Sequence, residues 1–250
     1  MSAKTILITG ASGGIGAALA RSHARAGVTL LLWGRDEVRL NQTATECRAL
    51  GADCITALFD IRDLDDMVAR LFAQDDRTPI DLAIFNAGLG GSVSKDAIAE
   101  TAQRSRATAE VNFVSPVMGA NLMAEAMARR GGGQIVLVGS IAESYPLPMA
   151  PTYAATKAGL AMFAEALGIR MARHKVRVTL VSPGFVDTAM SRGLPEAKPF
   201  LMTADSAAAL ITRRIARGDR RIVVPWQFAV IRAATGLLPR ALVRWILGRA

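Results

Sequence analysis

Short apolar runs rich in β-branched residues alternate along this chain with longer stretches whose apolar positions recur at helical spacing. The runs at 5–9 (TILIT), 28–33 (VTLLLW), 54–59, 80–85 (IDLAIF), 134–138 (QIVLV), 176–181 (VRVTLV) and 221–224 read as strands. The stretches that follow the first glycine turn to residue 26, and those at 36–50, 64–74, 101–130, 153–173 and 203–217, read as helices. This rhythm predicts an α/β fold with a doubly wound parallel sheet of about seven strands and helices on both faces. Ligands of such sheets collect at the carboxyl ends of the strands, so the residues just past each run are the place to look for chemistry. No repeat, low-complexity tract or linker interrupts residues 1–225, which read as one domain, with 226–250 as an extension packed on or beside it.

Composition narrows the classes. The chain has 250 residues, 51% of them hydrophobic, enough to fill a large core. No uninterrupted apolar run approaches the ~20 residues of a spanning helix. The amino terminus passes straight into the first strand without a signal-peptide pattern, so a cytoplasmic location is expected. Cys47 and Cys54 are too few for a disulfide framework and lack metal-ligand spacing. With His23 and His174 the only histidines, neither a metal site nor a histidine triad is expected.

Charge singles out the carboxyl terminus. The net charge is +9, and residues 201–250 hold nine arginines against two aspartates, a net of +7. The arginines alternate with aliphatics and no nucleic-acid motif accompanies them, so no nucleic-acid partner is expected. Residues 226–250 read as a basic amphipathic helix pair broken at Pro239. Three uses stay open: peripheral contact with an anionic membrane surface, a subunit interface, or closure of a substrate cleft.

Candidate chemistry begins at Gly10, Gly13, Gly14 and Gly16, between the first strand and first helix. Glycines there permit a tight turn and close backbone approach, while the helix start offers free N–H groups to a diphosphate. At the end of the second strand Arg35 suits a 2′-phosphate, and Asp36 suits a helix N-cap. Asp60 and Ile61 close the third strand, where an acid can accept from an adenine amino group and an aliphatic can pack on the ring. Within 101–130, Pro116 has no N–H to give the Asn112 carbonyl, leaving an acceptor that could fix a water. Ser140 closes the fifth strand. Tyr153 and Lys157, four apart on one helix, share a face; a cation beside a phenol favours the phenolate and lowers its pKa.

Together these residues resemble the classical short-chain dehydrogenase/reductase family over essentially the whole chain to about residue 225. The resemblance rests on Thr9-Gly10-Ala11-Ser12-Gly13-Gly14-Ile15-Gly16, on Asn86-Ala87-Gly88, and on the thirteen-residue step from Ser140 to Tyr153. The glycines also satisfy the pattern of the extended branch that includes sugar epimerases, but the remaining chain is too short for that branch's substrate domain. The resemblance implies a Rossmann-type fold and catalysis by Asn112, Ser140, Tyr153 and Lys157. It implies cofactor contacts from Gly10, Ser12, Gly14, Ile15, Gly16, Asn86, Ala87, Gly88, Tyr153 and Lys157, and from Pro183, Gly184, Val186 and Thr188 around the nicotinamide. Hydride would pass between NADP(H), preferred over NAD(H) because of Arg35, and an alcohol or ketone. Ile141, Leu147, Met149, Phe185 and Met190 suggest an apolar wall for that substrate. The family's use of its two long helices as pairing surfaces implies a homodimer or homotetramer. A catalytically silent dinucleotide sensor and a membrane-surface binding protein are the alternatives.

Overall fold

The structure is a computed structural model describing residues 3–93, 97–193 and 197–236, with side chains described through residue 234. The strands are β1 (Thr5–Thr9), β2 (Thr29–Gly34), β3 (Asp53–Leu58), β4 (Leu82–Phe85), β5 (Gly133–Val138), β6 (Val176–Pro183), β7 (Val186–Asp187), β8 (Met202–Thr203) and β9 (Arg221–Val224). Seven of them form one parallel sheet in the order β3-β2-β1-β4-β5-β6-β9, and β7 and β8 make a separate short parallel ladder. The expected seven-stranded, doubly wound sheet is therefore present, with its strand ends within about two residues of the expected ones. The β7–β8 ladder, only two residues a side, leaves no periodicity to read.

Helices α1 (Gly14–His23), α2 (Glu37–Ala49) and α8 (Ala204–Arg217) serve one sheet face. Ile6, Ile8, Leu30 and Leu32 meet Leu19, Leu40, Ile211 and Ile215 there. On the other face Leu7, Leu31, Ile135 and Leu137 meet α3 (Leu64–Arg77), α5 (Ser115–Arg129) and α6 (Pro151–Met171) through Met67, Leu71, Met123, Met127, Leu160 and Leu167. Successive strand residues point to opposite faces, so two buried faces explain why the runs of β1, β2, β4 and β5 are apolar without alternation, whereas β3 at the sheet edge leaves Ile55 and Leu58 exposed.

The stretch expected as one helix over 101–130 is α4 (Ala102–Ala109), a π-helical turn (Glu110–Val114) and α5 in unbroken succession. Ser115 N–H bonds Glu110 O, the wider spacing, immediately before Pro116. A proline cannot donate to the carbonyl four residues back, and the chain accommodates it by widening the preceding turn rather than by breaking. Strand β1 pairs with β2 on one side and β4 on the other, so its two crossovers leave on opposite faces. A crevice opens at that switch point, above the carboxyl ends of β1 and β4.

Candidate active site

At the end of β1, Gly10 and Gly14 adopt left-handed backbone, φ +69° and +54°, which their lack of a side chain allows. A methyl on Gly16 would strike the Gly10 carbonyl, so only glycine lets α1 start this close to the turn. A methyl on Gly13, by contrast, would meet nothing within 4 Å: the turn has open space at the first N–H groups of α1. Such an opening at a helix start has the shape of a cradle suited to a diphosphate. Asn86 and Thr9 fasten it to β4: Asn86 Nδ2 donates to Thr9 O at 3.0 Å, and Thr9 Oγ1 accepts from the Asn86 and Ala87 N–H groups, both at 3.0 Å.

A cavity of about 1010 Å³ runs from this turn along the strand ends. Of the expected cofactor residues, Gly10, Ser12, Gly14, Ile15, Arg35, Asp60, Ile61, Asn86, Ala87, Gly88, Pro183, Gly184, Val186 and Thr188 line it, as do Ser140, Tyr153 and Lys157. Two expected site residues do not. Gly16 packs behind the turn against Gly10 and Asn86. Asn112 is fully buried, its side-chain amide accepting from Leu89 N–H at 2.7 Å and donating to Leu89 O at 2.8 Å. It thereby clamps the loop after β4, a role that the expectation of a freed backbone carbonyl did not include.

At the far end Asp36 caps α2 by accepting from Arg39 N–H at 3.0 Å, and its carboxylate also pairs with the Arg39 guanidinium. Arg39 lines the cavity beside Arg35 and was missed in the sequence, although a position four residues on from Arg35 at a helix start was available as a signal. Asp60 is paired with Arg62, which holds its carboxylate below the usual range.

Tyr153 and Lys157 ride on α6, whose first turn has no side-chain cap of its own. Glu100 supplies one from afar, accepting from Thr152 N–H at 3.2 Å and from the Thr152 hydroxyl. Lys157, only 4% exposed, donates to Val138 O at 2.9 Å, and its Nζ lies 5.7 Å from the centre of the Tyr153 ring. An ammonium has three donors, so two remain for other partners. A methyl on Gly88 would lie 3.4 Å from Asn112 Oδ1 and 3.9 Å from Lys157 Nζ, which puts the loop after β4 against both. Ser140 Oγ accepts from Ala142 N–H at 3.1 Å, and the Ser140 side chain also hydrogen-bonds Tyr153.

The electrostatics differ from expectation in one respect. Burial raises the Tyr153 phenol above its ordinary value, the Ser140 hydrogen bond pulls it down, and the Glu143 charge raises it further. Burial likewise lowers Lys157 to about 8, opposed by Glu143. Desolvation is the largest of these influences and leaves the phenol above its ordinary value, where the pair on its own suggested a lowered one.

Residues 189–202, which with Pro195 and Pro199 read as a covering segment, contribute Ala189, Met190 and Ser191 to the cavity lining. Thr188 caps the short helix α7 (Ala189–Arg192) in a capping box with Ser191. A methyl on Gly14 would meet Thr188 Cγ2 at 3.1 Å and one on Gly90 would meet Met190 at 2.6 Å, so this segment touches both the cradle and the loop after β4. Ile141, Leu147, Met149, Phe185 and Met190 all line the cavity. Helix α9 (Gln227–Gly236) opens the extension, and Phe228 packs edge-on against Phe185 and Phe200, ring centres 6.1 and 5.7 Å away. The rest of the expected amphipathic pair, 237–250, and Pro195 of the covering segment lie outside the described residues. Among the described residues no helix is long and apolar enough to cross a membrane.

Comparison with known proteins agrees with this geometry. The family model described as "short chain dehydrogenase" matches residues 4–199. An uncharacterized oxidoreductase of Myxococcus xanthus is 32% identical over 97% of this chain and 95% of its own. A short-chain dehydrogenase from Sphingobium yanoikuyae in complex with NADPH superposes with a TM-score of 0.79 at 26% identity, covering 93% of each chain. A bulky-bulky ketone specific alcohol dehydrogenase from Comamonas testosteroni gives 0.77 at 28% identity, over 95% of this chain and 94% of that one.

Proposed function

The chain belongs to the short-chain dehydrogenase family and is an oxidoreductase of alcohol and ketone groups; from that premise we propose that it uses NADP(H) to interconvert an apolar alcohol and its ketone, with Tyr153 as the general acid/base. The observation that carries the reading is the convergence of Ser140, Tyr153 and Lys157 on one cavity that also contains the glycine cradle. The cradle fits a dinucleotide because Gly13 faces open space while Gly16 brings the helix start close. Gly10 to Ile15 would hold the diphosphate, Lys157 the nicotinamide ribose, and Pro183, Gly184, Val186 and Thr188 the nicotinamide. When bound, the nicotinamide supplies or accepts a hydride.

The protein's own part is orientation and proton movement. Ser140 donates to the substrate oxygen and fixes it beside the phenol. Tyr153 gives that oxygen a proton in reduction and takes it back in oxidation. A phenol kept protonated by burial is well suited to the acid role, and the Lys157 charge stabilises the phenolate left behind. Asn112, by clamping Leu89, holds the loop that faces Lys157. Preference for NADP(H) rests on Arg35 and Arg39 at the adenosine end, with the Asp36 carboxylate engaged by Arg39 rather than bare. The apolar wall and the ketone-specific Comamonas enzyme favour an apolar ketone as substrate.

The test is oxidation of NADPH and of NADH over a panel of apolar ketones and aldehydes, with wild type and Tyr153→Phe. The variant is expected to bind NADPH normally, measured by fluorescence titration, and to lose turnover by at least ~100-fold. Near-normal turnover in Tyr153→Phe removes Tyr153 from the reaction, and equal rates with the two cofactors remove the NADP preference.

A further inference from the structure

The thirteen-residue step from Ser140 to Tyr153 contains one charged residue, Glu143, and no cofactor or substrate contact accounts for it. Its side chain is 2% exposed. Oε1 accepts from Ser182 Oγ at 2.9 Å and pairs with the Arg221 guanidinium, while Arg232 Nη1 stands 3.9 Å from the same oxygen. Oε2 is buried without a hydrogen-bond partner. It faces Gly139, where an added methyl would come within 3.0 Å of it. A half-satisfied buried carboxylate is costly to folding, and such costs persist where a charge is used. The place of this one is telling: Gly139 lies between Val138, whose carbonyl receives Lys157 Nζ, and Ser140, which hydrogen-bonds Tyr153.

We propose that Glu143 is a positioning residue for proton transfer, a buried negative charge anchored by β9 and α9 that sets the ionisation of the Tyr153–Lys157 pair through space. It builds on the reading of that pair given above. The charge acts on both members in the same sense, holding Lys157 as an ammonium against its burial and Tyr153 as a phenol. The ionisable groups around it are Arg221 from β9, Arg232 from α9, Tyr153 and Lys157 from α6, and Tyr145, which shares a small cavity with it. Both arginines approach Oε1, so they moderate the charge while leaving Oε2 bare. Through them the carboxyl-terminal part of the chain is tied to the site.

The chain has only two tyrosines, which allows a readout independent of turnover. Full-length protein labelled with [13Cζ]-tyrosine is titrated by NMR, with Tyr145→Phe to assign the signals. In Glu143→Gln the Tyr153 midpoint is expected to fall by about one pH unit, and the pH profile of ketone reduction to move the same way. Arg232→Gln, a change at a partly exposed partner that folding tolerates more easily, is expected to move the midpoint upward. Shifts of opposite sign support the proposal. A midpoint unmoved in both variants, with kcat/KM of Glu143→Gln lowered evenly at every pH, makes Glu143 merely structural and overturns it. Shifted midpoints with a fixed pH profile uphold the electrostatic role and overturn instead the assignment of proton transfer to Tyr153.

Discussion

Lys157 shows what burying an ammonium costs a fold. Its value in the folded chain is about 8 against 10.5 for an unburied lysine, so the unfolded chain binds the extra proton between those limits. Stability therefore rises with pH across that window, and the cost of burying the ammonium is fully present below about 8. A shift of this size is worth about 3 kcal/mol, and the hydrogen bond to Val138 O returns about 1. Lys157→Met is expected to abolish turnover yet unfold about 2 kcal/mol later in urea at pH 7, with the gap closing toward pH 10. A less stable variant means that the ammonium's contacts outweigh its desolvation. At the other end of the cavity, removing one charge-assisted bond to a 2′-phosphate costs about 10- to 100-fold. Arg35→Ala should raise the KM for NADPH by that factor and leave NADH nearly unaffected; a parallel rise for both would show that Arg35 grips the shared part of the cofactor.

Among the elements, the inner strands were legible because two buried faces force uninterrupted apolar runs, and Leu30 to Leu32 divide between the two cores residue by residue. That Ser140, Tyr153 and Lys157 would share a cavity with the glycine turn was legible because these residue types stand just past strand ends and four apart on one helix. What the sequence hid were contacts between distant segments: Glu100 capping α6, Asn112 clamping Leu89 by its side chain, and Glu143 meeting Arg221. None has a spacing of its own, and the net electrostatics of Tyr153 depend on burial that no local pattern encodes. The α1–α8 pair gives another instance. His23 is buried where these helices pack, with Nε2 3.3 Å from the Thr212 hydroxyl. Burial, aided by the charge of Arg25, lowers it to about 4. Between pH 6.5 and about 4 the unfolded chain takes up a proton that the folded chain refuses, so stability falls as pH falls, by about 3 kcal/mol in all. His23→Gln, able to keep the contact with Thr212, should flatten this acid limb in urea unfolding at pH 7.0 and 4.5; an unchanged limb assigns the loss to other groups.

At the scale of the whole molecule the carboxyl-terminal strand completes the sheet, and the helix after it packs behind Gly184 and Phe185, two residues that line the cavity. Strand β9 closes one edge of the sheet against β6, and α9 places Phe228 against Gly184, Phe185 and Phe200. A methyl on Gly184 would collide with the Phe228 ring, so the strand-end glycine and the extension fit each other. Of the three uses open to the extension, this contact supports cleft closure for its described part. Phe228 is 8% exposed, and cutting a buried phenylalanine to alanine costs about 3–5 kcal/mol. Much of that loss should fall on the segment joining β7 to β8, because Phe185 immediately precedes β7 and Phe200 lies just before β8. Phe228→Ala is therefore expected to raise the KM for an apolar ketone several-fold while the KM for NADPH, held chiefly at the cradle and Arg35, changes little. The discriminating result is the ratio of the two: equal rises would mean that α9 supports the sheet as a whole, whereas a rise confined to the ketone shows that the carboxyl-terminal helix is part of the substrate's enclosure.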